Sequence, residues 1–179
     1  MSAPLHNKTI LVTGAAKRVG AAIARRLHQA GASLAMHYHA SEREAHALQS
    51  ELNLQRAKSV ILVKADLLET AGLAEIVKTC VEHFGALDAL VNNASAFYPT
   101  PVGTIDGRNW DELMGTNLKA PLFLCQAAAP HLKRNTGCIV NITDIHAERP
   151  LKNYVVYSIA KAGLAGLTRS LARELGPEV

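Results

Sequence analysis

Cysteines and long apolar runs are scarce in this sequence. Its three cysteines, Cys80, Cys125 and Cys138, have neither the spacing of a metal site nor that of a redox pair. This argues against a disulfide-stabilised secreted fold and against a cysteine metal centre. No apolar run approaches bilayer length, and residues 1–9 lack the apolar core of a signal peptide. We therefore expect a soluble cytoplasmic protein that binds no metal and enters no membrane.

Clustered positive charge interleaved with aromatic side chains is also missing. The net charge is +4, but the lysines and arginines are scattered, and only 4% of the residues are aromatic. The sequence therefore predicts no nucleic-acid-binding surface, and a small anionic ligand would account for the charge. Its 179 residues, 49% apolar and 19% charged, are typical of one globular domain with a sizeable core.

Short apolar segments alternate with longer helical patterns. Segments as apolar as Ile10–Val12 are typical of a parallel sheet covered on both faces, with right-handed helical crossovers. Residues 1–179 are therefore predicted to form a single α/β domain, a doubly wound parallel sheet of the Rossmann type. Two long loops, Ala94–Asp106 and Asp144–Asn153, should lie at the carboxyl edge, where ligands bind. The predicted strands are Thr9–Thr13, Ser33–His37, Ser59–Lys64, Leu87–Asn92 and Cys138–Thr143, and the predicted helices are Val19–Gln29, Glu42–Leu54, Leu68–His83, Gly107–Leu132 and Tyr154–Glu174.

Tyr157 and Lys161 are four residues apart on the last predicted helix, and side chains with that spacing share a helical face. A free phenol titrates near ~10, and a neighbouring positive charge lowers its pKa. The pair therefore predicts that Tyr157 acts as a general acid in a reduction. On the spacing alone, a half-buried tyrosine followed by a solvated lysine is an equally good interpretation.

The first predicted strand runs directly into a turn at residues 13–20 (Thr-Gly-Ala-Ala-Lys-Arg-Val-Gly). Gly14 permits a tight turn, and Gly20 permits close approach of the backbone to a ligand or to the sheet. The free N–H groups and the positive dipole end of the next helix favour a bound phosphate. Because the turn has two glycines and not the three of the usual dinucleotide motif, a plain strand-to-helix turn is the alternative.

The end of the second predicted strand lacks the acid with which NAD-binding folds of this type hold a ribose 2′-hydroxyl. No acidic residue precedes Glu42 there. His39 and Ser41, with Lys17 and Arg18 near the same spot, offer donors to a 2′-phosphate and so favour NADPH.

Two residues in this stretch have alternative interpretations. Ser41 and Glu44 have the spacing of a capping box, in which the hydroxyl caps the next helix and the glutamate reciprocates. His37 is equally compatible with a place in the core. Neither alternative removes the donors needed for a 2′-phosphate.

These motifs together resemble the short-chain dehydrogenase/reductase family. Further matches, in the family's order along nearly the whole chain, are Asp66 after the third strand, residues 92–94 (Asn-Asn-Ala) after the fourth, and Asn117. By that resemblance Asp66 contacts the adenine of the cofactor, and Asn117 holds a water that relays protons. The residues that the resemblance implies for NADPH binding are Thr13, Gly14, Lys17, Arg18, Val19, Gly20, His39, Ser41, Asp66, Leu67, Asn93, Ala94, Tyr157 and Lys161, and those for catalysis are Asn117, Asp144, Tyr157 and Lys161.

Asp144 departs from the general pattern of that family, which usually has a serine thirteen residues before the tyrosine. A carboxylate is a poor partner for a ketone oxygen but a good acceptor for the two-donor edge of an aminopyrimidinone ring. Asp144 therefore indicates a pterin substrate. The alternative is that Thr143 takes the role of the serine and Asp144 only begins a loop.

Longer stretches around the site, at residues 13–18, 37–41 and 93–101, resemble the pteridine reductases of this family. By that resemblance Phe97 stacks on the pterin against the nicotinamide. One departure is Ala40, where some pteridine reductases have an arginine beside the 2′-phosphate, and this weakens the NADPH prediction. The residues that the resemblance implies for substrate binding are Arg18, Ser95, Phe97, Asp144 and Tyr157.

The sequence thus favours an NADPH-dependent reductase of dihydropterins or dihydrofolate. Alternatives are a carbonyl reductase of 3-oxoacyl or steroid-like substrates, and a non-catalytic NADP-binding protein. Small residues at Ala160, Gly163, Ala165 and Gly166 permit close helix packing, and the family commonly pairs through this helix, so a homo-oligomer, dimer or tetramer, is expected. The alternative is that these small residues accommodate the sheet.

The family resembled continues after the tyrosine helix with a further strand and a substrate-covering segment. We therefore expect the 179-residue chain to lack them and to leave its fifth strand as an open apolar edge. Weak turnover, low stability and a tendency to aggregate would follow. The alternative is a naturally short variant whose oligomer partner covers the gap.

Overall fold

The computed structural model describes residues 3–179. The strands in this range are β1 (Thr9–Val12), β2 (Ser33–Tyr38), β3 (Val60–Lys64), β4 (Ala89–Asn92) and β5 (Cys138–Asn141), and the helices are α1 (Arg18–Gln29), α2 (Glu42–Gln55), α3 (Leu73–Phe84), α4 (Gly107–Met114), α5 (Ala120–Asn135) and α6 (Val155–Leu175). The strands form one parallel sheet in the order β3-β2-β1-β4-β5. The predicted α/β class and doubly wound sheet of the Rossmann type are confirmed. None of the helices described is long and apolar enough to cross a membrane.

Alternation along the central strand places core side chains on both faces of the sheet. Ile10 and Val12 of β1 pack in the cluster that α1 and α2 cover, whereas Leu11 packs in the cluster under α3 and α5. The strand order reverses its direction between β1 and β4. In a doubly wound sheet this reversal leaves a crevice at the carboxyl ends of the strands, where ligands bind.

Two predicted helices differ from the structure. The helix predicted from Leu68 begins at Leu73, because residues before it form a loop and a short 3₁₀ turn at Thr70–Gly72. The long helix predicted from Gly107 is divided by a π-helical turn at Gly115–Lys119 and continues to Asn135. Turns of this kind insert an extra residue and often occur at functional sites.

The outer edge of the sheet is formed by β5, which pairs with β4 alone among the residues described. Cys138 is exposed, and Val140 is 44% exposed. Leu171 and Leu175 of α6 are only partly buried and line a narrow apolar groove beside this strand. The edge is therefore open and apolar over the described range.

Candidate active site

The carboxyl ends of the strands surround a cavity of about 540 Å³. The sequence predicts ligand binding at this edge, and the two long loops that follow β4 and β5 contact each other there through a bridge between Thr100 and Tyr154. Of the predicted site residues, those lining the cavity are Gly14, Lys17, Arg18, Val19, Gly20, His39, Asp66, Leu67, Asn93, Ala94, Ser95, Asp144, Tyr157 and Lys161, and those outside its lining are Thr13, Ser41, Phe97 and Asn117.

Thr13 fastens the turn after β1 to the end of β4 and does not face the cavity. It is 1% exposed, and its hydroxyl oxygen accepts from the N–H groups of Asn93 and Ala94, both at 3.0 Å. The Asn93 amide donates in return to the carbonyl oxygens of Thr13 and Gly14, at 2.9 and 3.1 Å. The sequence predicts a cofactor contact for Thr13, and the structure gives it this supporting position.

Gly14 and Gly20 are required by the close packing of the turn. Gly14 has φ +61°, and a Cβ built there would lie 2.9 Å from the Cα of Ala94. A Cβ at Gly20 would overlap the Gly14 carbonyl oxygen and the Asn93 amide. Because neither position admits a side chain without a backbone shift, the turn brings the start of α1 close to the end of β4.

The N-terminus of α1 faces the cavity and is suited to an anion. Its first turn contains no acidic residue, and Lys17 at the N-cap makes no side-chain capping bond within residues 3–179. Arg18 has φ +53°, a left-handed conformation that costs a non-glycine residue on the order of 1–3 kcal/mol. Free helical N–H groups, the helix dipole and two cationic residues meet here, and together they fit a phosphate group.

His39 and Asp66 line the cavity beyond the ends of β2 and β3. The Nε2 atom of His39 lies 3.9 Å from the Oδ2 atom of Asp66, and both side chains are partly exposed. Asp66 also accepts from the N–H of Leu68 at 3.0 Å. Both residues therefore occupy the part of the cavity where the sequence predicts the adenosine end of a cofactor.

The capping box predicted at Ser41 and Glu44 is wrong. In the part of the chain that the structure describes, the Ser41 side chain makes no capping bond, and its φ of −92° and ψ of 55° lie outside the extended region that an N-cap adopts. The Glu44 carboxylate lies 4.0 Å from the ammonium of Lys17. The contact of Ser41 with a 2′-phosphate stays a prediction.

Asp144 and Tyr157 form a short hydrogen bond in the site. The Tyr157 hydroxyl donates to Asp144 Oδ2 at 2.6 Å, and Asp144 Oδ1 accepts from the N–H of His146 at 3.0 Å. Lys161 is 3% exposed; its ammonium donates to the carbonyl oxygen of Ile142 at 2.9 Å and lies 5.8 Å from the Tyr157 ring centroid. A proton donor, an acceptor carboxylate and a cation thus share one end of the cavity.

The predicted lowering of the Tyr157 pKa by Lys161 is wrong for this arrangement. Burial, followed by the hydrogen bond to the Asp144 carboxylate, raises the pKa of Tyr157 well above its usual value. Burial opposes ionisation of Asp144, but the hydrogen bonds from Tyr157 and His146 lower the pKa of Asp144 overall. Burial also lowers the pKa of Lys161. Burial is the largest cause of the raised pKa at the phenol, and the Asp144 carboxylate adds to it.

Asn117 lies within the π-helical turn and is 1% exposed. Its amide nitrogen donates to the carbonyl oxygens of Leu113 and Ala96, at 2.9 and 3.0 Å, and its amide oxygen accepts from the Ser95 hydroxyl at 2.6 Å. The side chain therefore ties the turn to the loop after β4. The water relay that the resemblance implies for Asn117 stays a prediction.

Phe97 lies beside the catalytic end of the cavity. It is 53% exposed, its ring stacks on Tyr154 at 4.6 Å, and it meets Tyr157 edge-on at 4.7 Å. Sequence reasoning missed Tyr154, although an aromatic residue one helical turn before Tyr157 is a usable signal. The Phe97 ring therefore contacts both tyrosines, with one of its faces covered by Tyr154.

This geometry agrees with a match to a known protein family. Residues 8–179 match the family model for short chain dehydrogenases. The chain belongs to the short-chain dehydrogenase family. Members of that family use a nicotinamide cofactor, so the resemblance drawn from the motifs is confirmed at that level.

Relatives of this short-chain dehydrogenase have several described activities. Pteridine reductase 1 of Leishmania tarentolae is 39% identical, over 92% of this chain and 70% of the relative. A 3-oxoacyl-[acyl-carrier-protein] reductase of Staphylococcus epidermidis is 33% identical, over 94% of this chain and 69% of the relative. A probable galactose dehydrogenase of Rhizobium meliloti is 34% identical, over 97% of this chain and 68% of the relative.

Six residues line the cavity of this short-chain dehydrogenase in addition to the predicted site residues. Thr143 among them is the alternative to Asp144 at the position of the serine. Glu112 and Thr116 are four residues apart on the helical segment that contains Asn117, which is a usable signal. Glu112 accepts a hydrogen bond from the Tyr98 hydroxyl at 3.2 Å. The complete set is His37, Ala96, Glu112, Thr116, Ile142 and Thr143.

His37 both lines the cavity and belongs to the core, at 2% exposed. Burial lowers the pKa of His37 to about 4. The unfolded chain therefore takes up a proton near pH 6.5 and the folded chain only near pH 4, so stability is complete above the first value and falls towards the second. We expect this residue to account for a loss of about 3 kcal/mol in the free energy of unfolding. The free energy of unfolding, measured by urea titration, should fall more steeply with decreasing pH for the parent than for His37→Asn. Equal dependence on pH in the two proteins would contradict the assignment.

Proposed function

We propose that this short-chain dehydrogenase is an NADPH-dependent reductase of pterins, which converts a dihydropterin or dihydrofolate to the tetrahydro form. The observation that carries the proposal is the contact between Asp144 and Tyr157, at 2.6 Å. It joins an acceptor carboxylate to the proton donor at the position where the family usually has a serine. The match to pteridine reductase 1 supports the same substrate class.

A pterin offers groups that complement this end of the cavity. Its ring N–H and amino group form a two-donor edge, for which the Asp144 carboxylate is a charge-assisted acceptor. Its flat ring is proposed to stack on the face of Phe97 that Tyr154 does not cover. Ser95 and Arg18, which both line the cavity, are proposed to contact the pterin or a cofactor phosphate.

The cavity fits a dinucleotide at its other end. Gly14 and Gly20 bring no side chains into the turn, the start of α1 suits a pyrophosphate, and Asp66 is proposed to contact the adenine. When bound, NADPH would supply the hydride. Lys17, Arg18 and His39 are proposed to bind its 2′-phosphate.

Tyr157 is proposed to supply the proton. Its raised pKa keeps the phenol protonated, and Asp144 holds the hydroxyl in place. A pterin edge that occupies Asp144 would weaken this hydrogen bond, and the pKa of Tyr157 would then fall towards its usual value. Lys161, beside both groups, would hold the ribose and favour the phenolate left after proton transfer.

Cofactor preference gives a direct prediction. NADPH should bind more tightly than NADH, because Lys17, Arg18 and His39 offer donors where an NAD enzyme has an acid. A phosphate held by charge-assisted bonds is worth about 1.5–3 kcal/mol, which corresponds to roughly tenfold or more in the dissociation constant. Fluorescence titration with both cofactors measures the ratio. Equal affinities, or a preference for NADH, would reject NADPH as the cofactor.

A carbonyl reductase of 3-oxoacyl substrates is the second candidate. It is favoured by Thr143, a hydroxyl residue that lines the cavity next to Asp144, and by the similarity to a 3-oxoacyl reductase. Oxidation of NADPH should be followed with dihydrobiopterin, dihydrofolate and a β-keto ester under the same conditions. The proposal expects the first two to react; reaction of the keto ester alone would establish the second candidate.

We also propose that the protein is cytoplasmic and assembles as a dimer or tetramer through its helices. Trp110 of α4, Leu122 of α5 and Ile159 of α6 are each at least 40% exposed. The small residues of α6 contribute less, because Ala160 is fully buried and Gly163 accommodates Leu118 of the same chain. Light scattering at micromolar concentration should give a multiple of 19.2 kDa, and a monomeric mass would reject assembly.

Residues 1–179 are proposed to form one NADP-binding domain that carries the catalytic residues. The open apolar edge of β5 and the partly buried leucines of α6 support a further covering element in the working enzyme. A substrate-covering segment is proposed to lie over the part of the cavity that the exposed Phe97 borders.

A further inference from the structure

We infer that His37 is a positioning residue, which couples the glycine turn to the adenine end of the cofactor site. The inference rests on the proposed function in one respect, that the cavity binds a nicotinamide dinucleotide. His37 lies at the end of β2, between β1 and β3 in the sheet. It can therefore reach both neighbouring strand ends.

On the β1 side, His37 holds the glycine turn with its backbone and its ring. The N–H of Gly14 donates to Nδ1 of His37 at 3.2 Å, and the N–H of Ala15 donates to the His37 carbonyl oxygen at 2.9 Å. Gly14 is the residue with φ +61°. Two successive N–H groups of the turn therefore end on one residue.

On the β3 side, the other ring nitrogen reaches the segment before the predicted adenine contact. Because Nδ1 accepts from Gly14, the ring proton lies on Nε2, which donates to the Ala65 carbonyl oxygen at 3.1 Å. Ala65 directly precedes Asp66, and its N–H is held by the Tyr38 carbonyl oxygen at 3.1 Å. One neutral imidazole therefore bridges the pyrophosphate turn and the adenine segment.

The ring is suited to this role by its surroundings. It is 2% exposed although it lines the cavity, and the charged or titratable groups that influence it are His39 and Asp66. Burial keeps it neutral at physiological pH, with a pKa of about 4. Both ring nitrogens of this buried imidazole are bonded, so neither is left unsatisfied.

Two substitutions separate the two bonds. The side-chain oxygen of His37→Asn can stand in for Nδ1 and accept from Gly14, whereas the amide nitrogen of His37→Gln can stand in for Nε2 and donate to Ala65. His37→Leu removes both bonds and places an apolar side chain at this buried position. Thermal melts of all three variants report any general loss of stability.

The first measurement uses the free protein and needs no cofactor. Hydrogen exchange at the Gly14 amide should be at least tenfold faster in His37→Leu and His37→Gln than in the parent, and unchanged in His37→Asn. Equal exchange in all four proteins, or the same acceleration in all three variants, would overturn the inference even if cofactor binding is normal.

The second measurement compares ligands by calorimetry. His37→Asn should keep the affinity for inorganic pyrophosphate and lose roughly tenfold for adenosine 2′,5′-bisphosphate, and His37→Gln should show the reverse. NADPH should bind less tightly to His37→Leu, with turnover at saturating NADPH nearly unchanged. If the losses of ligand affinity in the three variants only parallel their losses of melting temperature, His37 contributes to packing alone. A parent that binds no dinucleotide would instead reject the proposed function together with the coupling.

Discussion

Tyr157→Phe is expected to lower turnover of dihydrobiopterin with NADPH by roughly 10²–10⁴-fold, the usual contribution of a general acid. The variant keeps the ring that meets Phe97 edge-on and removes only the hydroxyl that donates to Asp144 at 2.6 Å. Affinity for NADPH should change little, because the turn and the start of α1 are untouched. Single-turnover reduction with enzyme in excess measures the effect even where steady-state turnover is slow.

Tyr38→Phe is the matched control for this change. Its hydroxyl lies 3.5 Å from Glu42, and the residue lies outside the cavity lining. It should leave the rate within about twofold, since it removes a buried phenol's hydroxyl without touching the reacting groups. A Tyr157→Phe enzyme that reduces the pterin as fast as Tyr38→Phe would exclude Tyr157 as the proton donor.

Asp144→Ser is expected to reduce kcat/KM for dihydropterins roughly tenfold or more, with the dissociation constant of NADPH unchanged. A charge-assisted hydrogen bond is worth about 1.5–3 kcal/mol, and the loss falls on the substrate because Asp144 lies at the Tyr157 end of the cavity. Serine can still accept from the N–H of His146, which Asp144 holds at 3.0 Å, so the local turn should persist. Steady-state kinetics and NADPH titration separate the two effects.

The control for Asp144→Ser is Asp106→Ser, which removes a carboxylate from the N-cap of α4. Serine is also a good N-cap, and the Asp106 carboxylate accepts from the N–H of Asn109 in the capping box. The kinetics of pterin reduction should therefore be unaffected in Asp106→Ser. If Asp144→Ser matched this control, Asp144 would be a loop residue, and the pterin proposal would lose its main support. A gain of activity towards a β-keto ester would favour the carbonyl reductase.

The fold could be predicted from the sequence because the strands are short apolar runs between helical patterns. The apolar pattern predicted the first strand at Thr9–Thr13, and β1 spans Thr9–Val12, where every side chain is buried. It failed at Leu68, which is apolar and 41% exposed but lies in a loop before α3. It also failed at Gly115, where a π-helical turn changes the backbone without changing the apolar pattern.

The candidate site could be predicted where a motif fixes its own backbone. Gly14 and Gly20 follow from sterics, and their positions line the cavity as expected. The pKa of Tyr157 could not be predicted, because it depends on how deeply the phenol is buried and on which charged group reaches it after folding. The spacing to Lys161 suggested a lowered pKa, whereas Asp144 from another element reached the hydroxyl first. The hydrogen bonds of the two His37 ring nitrogens could not be predicted either, because they form only when the ends of β1, β2 and β3 come together in the folded sheet.

The most direct test of the proposed function is the fate of the transferred hydride. NADPH carrying deuterium at both C4 positions of the nicotinamide should be incubated with the protein and dihydrobiopterin, and the tetrahydropterin should be analysed by mass spectrometry and NMR. The account predicts one deuterium per product molecule on a ring carbon, with none in the reaction of Tyr157→Phe over the same time. An unlabelled pterin, together with deuterium on the carbinol carbon of a hydroxy ester formed from a β-keto ester, would contradict it.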